Sequence, residues 1–258
     1  SKRKRKIMKA IAIIPARMGS SRFPGKPMAK IRGVPMIGHC YHRTRMCSEL
    51  VETYVATCDQ EIDDYVVSIG GKAVMTADTH ERATDRTAEA MLKIEKMLGD
   101  QVDVVVMVQG DEPMVTPRMI SQSLSPFLND DTVDLVNLMA HIKTVKEFED
   151  PNEVKVVVNK NSDAIYFSRE AIPSRKKGFD EVPMLKQVCI IPFKRESLLN
   201  FNETPETELE RIESVDMLRV IENGGSVRMV MTYDNSLSVD TVEDRNNVEK
   251  LMEGDVMM

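Results

Sequence analysis

The sequence AIAIIPARMGSSRFPGKP, residues 10–27, joins a short apolar segment to a loop rich in glycine and proline. Residues 10–14 are all apolar and include three isoleucines, which is the pattern of a buried β-strand. Pro15, Gly19 and Pro24 cannot continue a regular element, so the strand ends here and a loop follows. A strand that runs directly into such a loop is typical of α/β folds, which bind ligands at the carboxyl ends of their strands.

Beyond this strand, helical and strand-like patterns alternate through the first half of the chain. Parallel strands need a crossover between them, so the alternation predicts βαβ units and a mainly parallel sheet with helices on both faces. The predicted helices are residues 36–46, 60–69 and 85–98, and the predicted strands are residues 52–57, 73–76 and 102–108.

The second half of the chain has a different pattern. Residues 134–139 and 153–158 are strand-like and are joined by a polar segment. This pattern predicts local hairpins or an antiparallel insertion over about residues 133–195. The remaining predicted elements are a helix over residues 206–223, a strand over 227–232 and a closing helix over 241–253.

Length and charge limit the class of protein. A chain of 258 residues with 42% hydrophobic residues can bury the core of a single domain, which we place at residues 8–258. The cations within residues 1–7 predict a basic, disordered arm. A net charge of -6 argues against a general nucleic-acid binder. No stretch approaches the roughly 20 apolar residues of a membrane helix, so we expect a soluble, cytoplasmic protein without membrane partners.

The loop after the first strand carries three cations, Arg17, Arg22 and Lys26, with two glycines and two serines. Glycine permits close approach of the backbone to phosphate, arginine pairs with phosphate oxygens through a planar fork, and lysine adds a compact charge. The loop is not a Walker A sequence, because Pro27 stands where Ser or Thr would follow the lysine. A solvated surface turn is the alternative, but the position after a buried strand favours a triphosphate-binding loop.

Residues 15–27 resemble the phosphate loop of the CMP-Kdo synthetase family of cytidylyltransferases, PARxGSxRxPGKP, at every fixed position. The resemblance continues in order along nearly the whole chain, and an ordered set is more specific than one motif. The further matching segments are residues 75–89 with the TDR element at 84–86, and residues 108–113, 150–152, 166–169, 172–173, 213, 218–219, 222–224, 239–241 and 243–244.

The resemblance implies a function. Enzymes of this family transfer CMP from CTP to the hydroxyl of an acidic sugar, 3-deoxy-manno-octulosonate (Kdo), and release pyrophosphate. Here the acceptor would be Kdo or a close analogue, and the product would be an activated sugar for surface polysaccharide synthesis. The resemblance also implies a three-layer α/β/α, Rossmann-like nucleotidyltransferase fold, Mg²⁺ as the cofactor and a homodimer.

Two aspartates are the candidate metal ligands. Asp111 directly follows the apolar strand 102–108, and a carboxylate at a strand's end can hold magnesium together with substrate phosphates. Asp240 follows a strand and a turn-rich segment. The family's metal-binding aspartates match these two positions. Taken alone, Asp240 is equally suited to cap the helix that begins near residue 241.

The resemblance implies catalytic roles for Arg17, Lys26, Asp111 and Asp240, since the cations would neutralise the departing phosphates and the aspartates would hold the metal. The base would be bound largely by backbone atoms, although Asp85 alternatively caps the next helix. The predicted nucleotide-binding residues are Pro15, Ala16, Arg17, Gly19, Ser20, Arg22, Lys26, Thr84, Asp85 and Arg86.

The family pattern breaks on the acceptor side. Kdo-using members carry HIGIYAYR where this chain has QVCIIPFK at residues 187–194, and HxSGTDR where it has HERATDR at residues 80–86. The acceptor is then a related acid, such as an amino-Kdo, another 3-deoxy sugar acid or a phosphonate, or it is Kdo held by substituted contacts. Arg82 would offer an additional cation to an acidic group. The predicted acceptor-binding residues are His80, Arg82, Gln109, Gln187, Cys189, Ile191 and Glu213.

Two other classes of protein compete with this interpretation. A non-catalytic CTP-binding regulatory protein would keep the nucleotide pocket, but binding alone would tolerate loss of both aspartates and Lys26. An NAD-dependent oxidoreductase is disfavoured because no GxGxxG opens the first helix.

Overall fold

The computed structural model describes residues 8–178 and 181–254, and the basic arm predicted at residues 1–7 lies outside them. The strands are β1 (Ala10–Pro15), β2 (Lys30–Ile31), β3 (Val34–Pro35), β4 (Leu50–Thr57), β5 (Ala73–Met75), β6 (Val104–Val108), β7 (Val136–His141), β8 (Lys155–Val158), β9 (Ala164–Ser168), β10 (Leu185–Val188), β11 (Ile190–Lys194) and β12 (Arg228–Met231). The helices are α1 (Met36–Arg45), α2 (Gln60–Ser68), α3 (Ala83–Leu98), α4 (Pro117–Asn129), α5 (Val145–Glu149), α6 (Arg195–Glu203), α7 (Glu208–Glu213), α8 (Leu218–Glu222) and α9 (Val242–Met252), with a short 3-10 turn at Lys26–Met28.

The first sheet has the strand order β11-β6-β1-β4-β5. β1 pairs in parallel with β4 and β6, and β5 in parallel with β4. Only β11 within this sheet runs antiparallel, along β6. The carboxyl ends of the four parallel strands therefore meet at one edge of the sheet, where α/β folds bind ligands.

Helices cover both faces of this sheet because side chains alternate along its buried strands. Ile11 and Ile13 of β1 pack into a core that includes Met91 of α3 and Leu198 of α6. The intervening residues of β1, such as Ile14, pack into a second core with residues of α1, α2 and α4. This arrangement and the smaller, largely antiparallel second sheet confirm the predicted α/β class.

The second sheet has the order β12-β7-β10-β8-β9. β10 is antiparallel to both β7 and β8, whereas β12 runs parallel to β7. The chain leaves β10 at Val188 and enters β11 of the first sheet at Ile190. Cys189 therefore joins the two sheets, and its carbonyl oxygen accepts a hydrogen bond of 3.1 Å from the Gln109 backbone N–H at the end of β6.

The prediction of a single helix over residues 206–223 is wrong. Two short helices, α7 and α8, replace it, because Ser214 adopts a left-handed conformation with φ of 54° that ends α7. The chain then turns so that Val215 and Met217 are buried in the core. Helical periodicity does not reveal such a break, since the core contacts that favour it come from other elements.

No helix in the described part of the chain combines the length and the apolar composition needed to cross a lipid bilayer.

Candidate active site

The loop after β1 folds back on itself. The Gly25 N–H donates to the Met18 carbonyl oxygen at 3.1 Å, and the Met18 N–H donates to Asp59 Oδ2 at 2.8 Å. Gly25 has a φ of 72°, in the left-handed region where glycine carries little strain. Ser20 Oγ accepts the Phe23 N–H at 3.2 Å. These bonds hold the loop in a defined shape at the sheet edge.

Gly110 brings the end of β6 close to this loop. A Cβ atom at Gly110 would lie 3.0 Å from the Pro15 carbonyl oxygen, which is tighter than ordinary packing. The absence of a side chain therefore lets the two strand ends touch, and it places Asp111 beside the loop.

A cavity of about 350 Å³ lies over the loop, and we call it the loop cavity. Most of the predicted nucleotide-binding residues line it. They are Pro15, Ala16, Arg17, Gly19, Ser20, Arg22, Lys26 and Arg86, and the cavity is also lined by His80, Arg82, Gln109 and Asp111. Arg17 is exposed and, within the described residues, its side chain has no hydrogen bond or ion pair. Its guanidinium is thus available to a phosphate.

Lys26 contacts the segment that carries Asp240. Its Nζ donates to the carbonyl oxygen of Val239 at 3.0 Å, and the Val239 N–H donates to the carbonyl oxygen of Asp111 at 2.9 Å. Asp240 follows Val239 directly. The backbone therefore brings both aspartates and the loop lysine to one place, although they are far apart in the sequence.

The two aspartates form an electrostatically strained pair. Burial raises the pKa of Asp111 to about 6; the charge of Lys26 acts to lower it, while that of Asp240 adds to the rise. Burial also raises the pKa of Asp240, and Lys26 and Arg22 oppose that rise. Asp111 Oδ1 is inaccessible to solvent and accepts no hydrogen bond from the described residues. An orphaned carboxylate oxygen beside a second carboxylate fits a divalent cation.

Protein ligands would complete only part of such a site. Among the described residues, no group of three or more His, Cys, Asp or Glu side chains is arranged to hold a metal ion. A cation at Asp111 and Asp240 would therefore take its remaining ligands from substrate phosphates and water, as Mg²⁺ commonly does.

The alternative role of Asp240 as a helix cap is wrong. The N-cap of α9 is Thr241, whose Oγ1 accepts the Asp244 N–H at 3.1 Å. Asp244 Oδ2 in turn accepts the backbone N–H groups of Thr241 and Asp240, at 3.0 and 2.9 Å. This capping box leaves the Asp240 carboxylate outside the helix start.

A second cavity, of about 250 Å³, opens next to the first between the two sheets, and we call it the cross-sheet cavity. Arg22, Arg82, Gln109 and Asp111 line both cavities. Gln187, Cys189, Ile191 and Asp240 line the cross-sheet cavity alone. The structure therefore brings the departures from the family pattern together beside the candidate metal ligands.

The residues that differ from the family pattern are fixed by hydrogen bonds or by burial. Gln187 Nε2 donates to Asn137 Oδ1 at 2.7 Å, and the Cys189 N–H donates to Glu112 Oε1 at 3.1 Å. Burial, together with the charges of Asp111 and Glu112, raises the pKa of the Cys189 thiol well above its usual value, so the thiol stays protonated. Ile191 is 2% exposed within β11.

Arg82 is not a free cation. Its Nη1 donates to Asp216 Oδ1 at 2.9 Å, and its Nη2 donates to Glu206 Oε1. The expectation that Arg82 supplies an uncommitted charge is therefore wrong in this structure, because two acidic side chains from the α6–α8 region reach it. His80 is also engaged, since its Nε2 lies 2.9 Å from Glu89 Oε1.

Three predicted site residues line neither cavity, namely Thr84, Asp85 and Glu213. Thr84 is fully buried. The N-cap of α3 is Arg82, with Asp85 in the first turn, so the cap alternative for Asp85 is wrong as well. The carbonyl oxygen of Glu213 accepts the Arg169 Nε–H at 2.7 Å.

Asn152 and Arg169 line the cross-sheet cavity, but the sequence analysis did not identify them as site residues, although both lie in matching segments. Arg169 donates to the carbonyl oxygens of Glu213, Pro151 and Ser214, at 2.7, 3.1 and 3.0 Å. Arg22 Nη1 donates to Asn152 Oδ1 at 2.7 Å, which ties the loop to the second sheet. Segments 150–152 and 166–169 match the family pattern in sequence, but only the fold shows that Asn152 and Arg169 face the cavity.

Comparison with known proteins agrees with this geometry. The sequence profile of the family described as cytidylyltransferase matches residues 11–235. The 3-deoxy-manno-octulosonate cytidylyltransferase of Trichlorobacter lovleyi is 39% identical over 255 residues, which cover 95% of this chain and 99% of that protein. The Escherichia coli protein of the same name is 39% identical over 244 residues, covering 95% and 96%.

A solved structure shows the same likeness in three dimensions. It is CMP:2-keto-3-deoxy-manno-octonic acid synthetase complexed with CTP, and it superposes with a TM-score of 0.86. The sequence identity is 38%, and the match covers 96% of this chain and 100% of that one.

Proposed function

This chain belongs to the cytidylyltransferase family, and we propose on that basis that it transfers CMP from CTP to the hydroxyl of Kdo and releases pyrophosphate. One observation carries the proposal: Asp111 lines both the loop cavity and the cross-sheet cavity. A nucleotide bound over the loop and an acid bound between the sheets would therefore meet at Asp111.

The transfer requires an in-line displacement at phosphorus. The acceptor hydroxyl gives its proton to water and its oxygen forms a bond to the α-phosphorus of CTP. The bond from that phosphorus to the oxygen shared with the β-phosphate breaks, and its electron pair leaves with pyrophosphate. Arg17 and Lys26 line the loop cavity and would hold the departing pyrophosphate, whose negative charge grows as that bond breaks. Lys26 Nζ is already held by the Val239 carbonyl oxygen, which supports a role that needs little reorganisation of this cation during the reaction.

We also propose that Asp111 and Asp240 hold Mg²⁺. Two observations support this: Asp111 Oδ1 has no hydrogen-bond partner among the described residues, and the pKa values of both carboxylates are raised. A bound cation would give Oδ1 a partner and would lower both pKa values. The ion would supply charge neutralisation at the α-phosphate and lower the pKa of the acceptor hydroxyl.

A homodimer acting in the cytoplasm completes the proposal. The family resemblance of the sequence supports the homodimer, and sedimentation analysis of the purified protein would test it.

The test is pyrophosphate release. CTP, UTP, ATP and GTP would each be combined with Kdo, an amino-Kdo and a small phosphonate, with Mg²⁺ and with EDTA. We expect turnover with CTP and Kdo that EDTA abolishes. Preference for a purine triphosphate would exclude the assigned donor, and CTP binding without pyrophosphate release for any acid would favour a non-catalytic binding protein.

A further inference from the structure

Two carboxylates that line the cross-sheet cavity, Glu81 and Glu153, form no hydrogen bond or ion pair among the described residues, and of the two only Glu153 is partly buried. Glu153 lines the cavity with Asp111, Asp240 and Gln187. Neither Glu153 oxygen is among the buried side-chain atoms that lack a partner, so both can be reached from the cavity and can accept hydrogen bonds from a bound molecule.

Four other carboxylates of the cavity have partners or assigned roles. Glu112 accepts the Cys189 N–H, and Asp216 accepts a hydrogen bond from Arg82. Asp111 and Asp240 are the candidate metal ligands. Glu153 has neither a donor from the described part of the protein nor an assigned metal role, so both of its oxygens are left for a bound molecule.

The backbone around Glu153 is fixed from several sides. The buried Lys155 ammonium donates to the carbonyl oxygens of Glu153 and Asp150, at 2.5 and 2.6 Å. Arg169 Nη1 donates to the carbonyl oxygen of Pro151, and the Gln187 N–H donates to that of Val154 at 2.8 Å. The carboxylate therefore projects from a rigid turn, as preorganised recognition groups do.

The surroundings of Glu153 disfavour the charged form of its carboxylate. Burial raises the pKa of Glu153 to about 7, and the charge of Lys186 offsets the rise only in part. The Lys186 ammonium is itself bound to Glu147 Oε1 at 2.7 Å and to the Ser236 carbonyl oxygen at 3.0 Å. Donors from a ligand would satisfy the Glu153 carboxylate where the protein does not.

We propose that Glu153 determines acceptor specificity by accepting hydrogen bonds from hydroxyl groups of the acceptor sugar, other than the hydroxyl that reacts. This inference rests on the proposed function, because it assumes that the acceptor occupies the cross-sheet cavity. A carboxylate with two free oxygens suits neighbouring hydroxyls of a sugar, each of which brings one donor.

The test compares Glu153→Ala and Glu153→Gln with Glu149→Ala. Glu149 is an exposed acidic residue four positions earlier that lines neither cavity, so it serves as a matched control. Steady-state kinetics would give KM for the acceptor, KM for CTP and kcat, and thermal unfolding would report stability. The acceptor is Kdo or, if the unmodified protein ignores Kdo, whichever hydroxylated acid gives most pyrophosphate release.

We expect Glu153→Ala to raise the KM of the acceptor by about tenfold to a hundredfold, the range for a lost hydrogen bond to a charged group. Glu153→Gln should have a smaller effect because one acceptor oxygen remains, and KM for CTP should stay within about twofold in every variant. Both Glu153 variants should unfold at a temperature equal to or above that of the unmodified protein, since an unsatisfied charge is removed. For an acceptor that lacks the hydroxyl bound by Glu153, the Glu153→Ala substitution should leave the acceptor KM unchanged.

Unchanged acceptor KM in Glu153→Ala would overturn the inference, as would an equal rise in the KM of CTP. A fall in unfolding temperature in both Glu153 variants would assign the side chain a structural role instead. Failure of the unmodified protein to use Kdo would exclude only the assigned acceptor, because the same comparison proceeds with the other acid.

Discussion

Lys26 Nζ lies 3.0 Å from the carbonyl oxygen of Val239, although 213 residues separate the two in sequence. The N–H of Val239 donates to the backbone carbonyl oxygen of Asp111, and the residue after Val239 is Asp240. The lysine thus joins the loop after β1 to the segment that carries Asp240 and contacts the Asp111 backbone.

Replacing Lys26 by methionine should lower kcat/KM for CTP by a factor on the order of a hundred, because both the charge on the phosphates and the bond to Val239 are lost. Lys26→Arg should retain part of the activity. Lys30→Met is the control, since Lys30 is an exposed lysine of β2 that lines neither cavity. Equal losses in Lys26→Met and Lys30→Met would contradict a specific role.

Asp111→Asn and Asp240→Asn should each reduce turnover by a factor on the order of a hundred or more, because preorganised charge stabilisation supplies several kcal/mol. Circular dichroism should show an intact fold in both. Thr241→Ala removes the cap of α9 and should instead cost about 1 kcal/mol of unfolding free energy. If Asp240→Asn lost stability while its turnover was preserved, the metal role of Asp240 would be wrong.

Arg82→Ala should destabilise the protein in a pH-dependent way. Burial raises the pKa of Asp216 and Arg82 acts against that rise, so the variant should have a still higher Asp216 pKa in the folded state. A carboxyl whose folded-state pKa is raised binds its proton more tightly when folded, so stability falls as pH rises through the interval between the unfolded and folded pKa values. The variant widens this interval.

Urea unfolding at about pH 8 should therefore show a loss of about 1–3 kcal/mol in Arg82→Ala, shrinking toward about pH 4. Adding Asp216→Asn should recover part of the loss at about pH 8, because the buried charge is then absent. A loss of the same size at both pH values would show that the ion pair to Asp216 is not its cause.

The combined variant Gln187→His, Cys189→Gly and Ile191→Tyr should raise kcat/KM for Kdo by about tenfold, or about 1.4 kcal/mol, if one polar contact is regained. Apparent affinity for CTP should hardly change, because these residues line only the cross-sheet cavity. The larger Tyr must fit where Ile191 is buried, so thermal unfolding should accompany the kinetics. No gain in a folded variant would mean that these positions do not select the acceptor.

Local pattern was sufficient for much of the first sheet. The apolar runs at β1 and β6 and the helical spacing of α2 and α3 appear where the sequence predicts them, because strands covered on both faces and amphipathic helices have strong periodic signals. The 206–223 helix failed because its break at Ser214 depends on tertiary burial of the residues that follow.

Contiguous motifs next to predicted strands were enough to predict the α/β class, which the structure confirms, and to single out the loop after β1 and the candidate aspartates. Tertiary structure alone decided that Thr241 rather than Asp240 caps α9, that Arg82 is bound by Asp216, and that Glu153 faces the same cavity as Asp111. These outcomes depend on which distant segments supply hydrogen-bond partners and charges. Such partners are chosen by the packing of two sheets, which no local spacing of residues encodes.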